Sequence, residues 1–132
     1  MISDLGIEDH VRIIDEYVPN EEVGLYFSAA DLVVQPYVSA TGSGVVQVAY
    51  GFERPVVATD VGSLPEIVEH RKTGYVIPPE SPEAIADAVV SFFKEDRAGE
   101  FRENIQAMQY RFSWDNLVDG VEEMVQGVRC KV

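Results

Sequence analysis

The chain reads as an α/β protein built on a parallel sheet and closed by a helical tail. Three observations predict this. Four short, β-branched segments, Val11 to Ile14, Leu32 to Gln35, Pro55 to Ala58 and Tyr75 to Ile77, are separated by stretches long enough to hold helices. Those segments are apolar without strict alternation, as strands covered on both faces are. From Ser81 onward the apolar residues recur at three- and four-residue steps instead. A length of 132 residues with 46% hydrophobic side chains suits one domain, residues 1–132, with a sizeable core. No repeat, low-complexity stretch or linker divides it.

The elements follow in order. Asn20 with Glu21 and Glu22 starts a helix that places Val23, Phe27 and Ala30 on one face. Leu32 to Gln35 is a strand that breaks at Pro36. Val45, Val46 and Val48 favour strand locally, yet parallel neighbours at Leu32 and Val56 require a long crossover, so Ser43 to about Gly51 is read as a buried helix. Ser63-Leu64-Pro65-Glu66 has the Ser-x-x-Glu spacing of a capping box, which predicts a short helix to about Glu69 capped by Ser63. Ser81-Pro82-Glu83 supplies a cap, a proline at the first helical position and a first-turn carboxylate, ahead of Ile85, Ala88, Val89, Phe92 and Phe93. Two helices end the chain, Glu100 to Tyr110 and Trp114 to about Val128, the second capped by Ser113 and carrying Leu117, Val121, Met124 and Val128 on one side.

Charge narrows the function. Ten basic against twenty-three acidic side chains give a net charge of −13, which opposes nucleic acid and anionic membranes. No apolar run reaches the ~18 to 20 residues of a membrane span, and the first residues lack the basic and apolar parts of a signal peptide, so a soluble cytoplasmic protein is expected. Cys130 is the single cysteine, which excludes an internal disulfide and a thiolate metal site and reads as an exposed, inert thiol. His10 and His70 have no partner spacing and read as surface histidines. Without a His/Cys cluster or an Asp-x-Asp, no metal and no cofactor is expected. Trp114 reads as core.

The run from Asp31 to Val45 carries the chemistry. Its strand empties into Ser39-Ala40-Thr41-Gly42-Ser43-Gly44-Val45, small residues rich in N–H donors at the start of a helix. The forty-one residues from Ile13 to Glu53 hold no Lys or Arg, so an anion there depends on amides, hydroxyls and the helix dipole. Gly42 and Gly44 let backbone approach a ligand, while Thr41 and Ser43 offer hydroxyls. A flexible turn is the plainer alternative.

The blocks Asp9 to Ile14, Tyr17 to Val23, Tyr26 to Val34, Arg54 to Val68, Thr73 to Pro79 and Phe112 to Asp115, in that order, resemble the C-terminal, nucleotide-sugar-binding domain of group 1 glycosyltransferases. That family has two Rossmann-like halves in the GT-B arrangement. The resemblance implies a partial Rossmann-like, doubly wound parallel sheet of about four strands with the helical tail. It also implies a part in transfer from a nucleotide-sugar donor with retained configuration. Ser39 to Val45 would hold the donor diphosphate, Asp15, Glu16 and Tyr17 resemble a base-contacting loop, and Gly62 and Glu66 follow a strand end where open α/β sheets place ligands. Ser63 and Glu66 are also accounted for as a capping pair.

Two departures matter. The family's paired glutamates, seven residues apart, fall on Ala40 and Val48, and the loop looks like a bacterial Ala-Thr-x-Ser-Gly variant. The family domain also begins with two further strand–helix units, and its acceptor domain carries the catalytic histidine; neither has a counterpart here. The expected partners are therefore a nucleotide-sugar donor and an acceptor domain or missing sheet segment, with no catalytic residue and no catalysis by this chain alone. A non-catalytic interaction or structural module retaining the donor-domain fold is the alternative, and a GT-B epimerase fits the loop but not the tail. An unpaired edge at Leu32 to Gln35 would promote a homo-oligomer, or closure by Val11 to Ile14.

Overall fold

The computed structural model describes residues 1–111 and 114–129. Strands β1 (Val33–Gln35), β2 (Val56–Thr59) and β3 (Gly74–Ile77) form one parallel sheet in the order β1-β2-β3. Val33 lies opposite Val56 and Gln35 opposite Ala58, while Val56 lies opposite Gly74 and Thr59 opposite Ile77. The helices are α1 (Ile2–Leu5), α2 (Asn20–Ala29), α3 (Gly44–Gly51), α4 (Leu64–Ile67), α5 (Pro82–Lys94), α6 (Ala98–Arg111) and α7 (Trp114–Arg129), with a 3-10 turn at Glu8–His10.

The α/β class and the helical tail stand, with three strands among the described residues in place of about four. Val11 to Ile14 is extended at its start but unpaired, and Val11, Ile13 and Ile14 are exposed. β-Branched residues make a strand only where an edge accepts their ladder, and among the described residues no ladder includes 11–14. This segment does not close onto β1, which among the described residues pairs with β2 alone.

Both faces of the sheet are covered, as parallel sheets require. Val56 and Ala58 of β2 pack with Val46, Ala49, Tyr50, Leu64, Val68 and Ile105; Val57 packs on the other face with Tyr75, Ile77, Ala88, Phe92 and Phe101. Each large side chain so buried stabilises the fold by about 1.5–3 kcal/mol. Phe101 and Ile105, one turn apart on α6, enter different clusters, so this helix joins the two faces.

Capping decides where α3 and α5 begin. Ser43 accepts from the Val45 amide at 3.2 Å and Ser81 from the Ala84 amide at 3.2 Å, each from an extended backbone. Burial of Val46, Ala49 and Tyr50 outweighs the valines' local preference for strand in α3. Ser63 departs from expectation. Its side chain caps nothing in α4, because its backbone (φ −91°, ψ 4°) already turns with the helix instead of standing in the extended cap conformation. The predicted cap at Ser113, the Phe112 end of the Phe112 to Asp115 block, and Cys130 lie outside the described residues, as does the Trp114 side chain.

Candidate functional site

Parallel strands bring their carboxyl ends to one side of the sheet, so the loops after β1 and β2 emerge together there. The first loop, Pro36 to Ser43, is held by side chains from three places. Thr59, the last residue of β2 and 1% exposed, donates its hydroxyl to the Tyr37 carbonyl at 2.6 Å. Gln35, the buried end of β1, accepts from the Ser43 hydroxyl at 2.9 Å. Ser63, in the turn after β2, donates to the Thr41 carbonyl at 2.9 Å.

Gly62 brings the two loops into contact. Its φ is +55°, and a Cβ there would lie 1.8 Å from the Ala40 carbonyl oxygen, so any other side chain would displace the loop. Gly42 faces the same turn, where a Cβ would lie 3.1 Å from Ser63 Oγ. Gly44 differs, since a Cβ there would meet nothing within 4 Å.

These contacts use carbonyls and hydroxyls. Among the described residues, the amides of Ser39, Ala40, Thr41, Gly42, Ser43 and Gly44 have no acceptor, whereas the Val45 amide is taken by Ser43. The Ser43 hydroxyl gives its one proton to Gln35 and accepts from Val45, so as placed here it offers an anion no donor, whereas the sequence suggested that it would. Among the described residues no cationic side chain bonds to the loop either: Arg54, the first arginine after it, donates to the Phe27 and Ser28 carbonyls at 3.0 and 3.1 Å. The arrangement can hold an anion through backbone amides at the start of α3.

The other sequence-predicted residues are less closely joined. Val45 is half-exposed on the first turn of α3. Glu66 is exposed on α4 and lines a groove of about 480 Å³ with Gln47, Tyr50, Ile67 and Met108. Tyr17 is 83% exposed in the irregular segment before α2, with no hydrogen bond to the loop among the described residues. Sequence reasoning missed Gln35 and Thr59; a polar residue ending each of two apolar strands was the available signal.

With this geometry in hand, likeness to known proteins becomes informative. The profile of the family described as "Glycosyl transferases group 1" matches residues 1–95. The chain belongs to that family. Among curated relatives, it is 34% identical over 116 residues to a D-inositol 3-phosphate glycosyltransferase of Corynebacterium glutamicum, covering 86% of this chain and 27% of the relative. It is 32% identical over 139 residues to the GDP-mannose-dependent alpha-(1-6)-phosphatidylinositol monomannoside mannosyltransferase of Mycobacterium tuberculosis, covering 96% of this chain and 35% of the relative. The chain thus spans about a third or less of the length of these relatives.

Among solved structures, HepE of Anabaena in complex with UDP superposes with a TM-score of 0.76 at 22% identity, over 96% of this chain and 35% of HepE. The C-terminal domain of a group 1 family glycosyl transferase, LpcC of Francisella tularensis, superposes with a TM-score of 0.71 at 21% identity, over 85% of this chain and 60% of that domain. Both likenesses support the GT-B half-domain fold. No described helix is long and apolar enough to cross a membrane, and the described residues hold no cluster of His, Cys, Asp or Glu that could bind a metal ion.

Proposed function

We propose that the chain is the C-terminal part of the donor-binding domain of a group 1 glycosyltransferase, and that Ser39 to Val45 holds the diphosphate of a nucleotide-sugar. The observation that carries this reading is the row of amides from Ser39 to Gly44 without acceptors among the described residues, at the carboxyl end of β1 and the start of α3. Such amides and the helix dipole favour negative charge that grows on a departing diphosphate. That is electrostatic assistance without proton transfer, in a transfer that retains configuration at the sugar. The acceptor domain and the proton-handling groups would come from outside these residues. Tyr17 would approach the base, and Gly62 and Glu66 would border the sugar side.

Calorimetric titration with uridine, guanosine and adenosine diphosphate sugars tests the reading. HepE is described in complex with UDP and with UDP-glucose, and the mycobacterial relative is named as GDP-mannose-dependent, so the uridine and guanosine donors come first. Saturable heat with one of them is the expected outcome; no heat with any near millimolar concentration would reject it. Ala40 and Val48, at the positions where the resemblance would place the family's glutamates, favour a second reading, a non-catalytic module with the same fold. Transfer activity on adding an acceptor-domain chain would exclude that second reading.

A further inference from the structure

Residues that aim the loop amides can be identified from peptide geometry alone. In a trans peptide the carbonyl of one residue and the N–H of the next point in opposite directions. No cis peptide occurs among the described residues. Wherever a neighbour captures a carbonyl, the following amide is therefore turned away from that neighbour.

Two consecutive peptides of the loop are constrained in this way from one side. The Thr41 carbonyl accepts from Ser63 Oγ at 2.9 Å, which turns the Gly42 amide away from the β2–α4 turn. The Ala40 carbonyl oxygen packs where a Gly62 Cβ would stand, 1.8 Å away, which turns the Thr41 amide the same way. Further back, Thr59 holds the Tyr37 carbonyl at 2.6 Å. Successive amides directed to one side form an anion-binding nest, and the Thr41 and Gly42 amides have no acceptor among the described residues.

We infer that Gly62 and Ser63 are positioning residues, which turn the Thr41 and Gly42 amides toward the donor phosphates by holding the carbonyls behind them. Neither residue needs to touch the ligand. The inference rests on the proposed donor reading for the identity of the anion, and on the loop geometry for the orientation itself.

The test separates orientation from binding. Residual dipolar couplings of the Thr41 and Gly42 N–H vectors are measured in the ligand-free 132-residue chain, as wild type, Ser63→Ala and Ser63→Thr. Inorganic pyrophosphate is then titrated into each. The expected result is that Ser63→Ala averages these two couplings toward zero, keeps couplings and Tm elsewhere, and weakens pyrophosphate binding about tenfold, the loss of one hydrogen bond. Ser63→Thr, which retains the hydroxyl, restores both. Unchanged couplings in Ser63→Ala would overturn the inference whatever the chain binds, and unfolding of that variant would assign Ser63 a structural role instead. Averaged couplings in a chain that binds pyrophosphate neither as wild type nor as variant would leave Ser63 as an orienting residue. In that case the donor reading fails, and the aim toward phosphate fails with it.

Discussion

The Tyr50 hydroxyl lies 2.8 Å from Thr73 Oγ1 inside the core, tying α3 to the turn that precedes β3. Thr73 Oγ1 also accepts from the Glu69 amide at 3.0 Å, so one buried threonine joins three segments. Burial of the Tyr50 phenol pushes its pKa up to about 12, and the Thr73 bond only partly offsets that. The folded chain thus keeps a proton that the unfolded chain releases near the ordinary value of about 10. Stability from this group is fully present below about pH 10 and declines as pH rises toward 12. At about pH 11 the loss should reach ~1.4 kcal/mol. Denaturant melts of wild type and Tyr50→Phe between about pH 8 and 11 should show that the variant lacks this part of the decline; parallel curves would refute it.

Glu53 predicts the opposite limb. Hydrogen bonds from Gln106 and Arg102 of α6 lower its carboxyl below the usual value. A lowered folded pKa gives stability that is present above the unfolded value and lost as pH falls through the folded one. Glu53→Gln should therefore be less stable than wild type near neutrality and converge with it in acid. The contribution is small, since Arg102 is largely open to solvent and Glu53 partly so. Equal pH profiles for the two chains would show that the carboxylate contributes nothing.

Gly44→Ala probes the ligand side of the loop. Because a Cβ there meets nothing within 4 Å, the chain should keep its Tm or gain slightly. Donor affinity should fall about tenfold as the methyl intrudes on the approach to phosphate. Calorimetry on both proteins would check this, and undiminished affinity would remove Gly44 from the contact. Gly42→Val should also weaken the donor, but it must displace Ser63 Oγ from 3.1 Å, so it disturbs the orienting bond as well.

Gly62→Ala should be costly for both folding and binding. The left-handed backbone alone costs an alanine about 1–2 kcal/mol, and the methyl would lie 1.8 Å from the Ala40 oxygen. A Tm reduced by several degrees together with lost donor binding is expected. A variant with wild-type melting and affinity would show that the two loops are not in close contact.

How much of this was legible follows from which interactions are local. Ser81-Pro82-Glu83 and the apolar repeat behind it fixed α5 because cap and periodicity lie within one turn of each other. For α3 the valines pointed to strand, and only the need for a crossover between parallel neighbours recovered the helix. Val11 to Ile14 was misread because a strand depends on a partner edge that its own residues do not disclose. Ser63 was misread for the same kind of reason. Its partner, Thr41, is twenty-two positions away, so the local Ser-x-x-Glu spacing prevailed on paper and lost in the fold. The position of the Ser39 to Gly44 loop was legible, since small residues between a strand and a helix place amides at a sheet end whatever the distant contacts are.

The edge of β1 leads to the last prediction. Among the described residues β1 pairs with β2 alone, and Val34 on it is half-exposed, so its other side can template another strand. A second candidate for association is α7, where Val118, Val121, Met124 and Val125 are exposed along one helix, at spacings that form an apolar seam. The two can be told apart because a lysine is tolerated at either exposed site but blocks only its own contact. The 132-residue chain is expected to associate in sedimentation equilibrium despite its charge of −13. Val34→Lys should shift it toward monomer if strands pair, and Met124→Lys should do so if helices pair. The edge is the favoured site, because its unpaired amides and carbonyls add directional hydrogen bonds to the apolar contact, whereas the α7 seam offers burial alone. A wild-type chain that sediments as a strict monomer would defeat both routes.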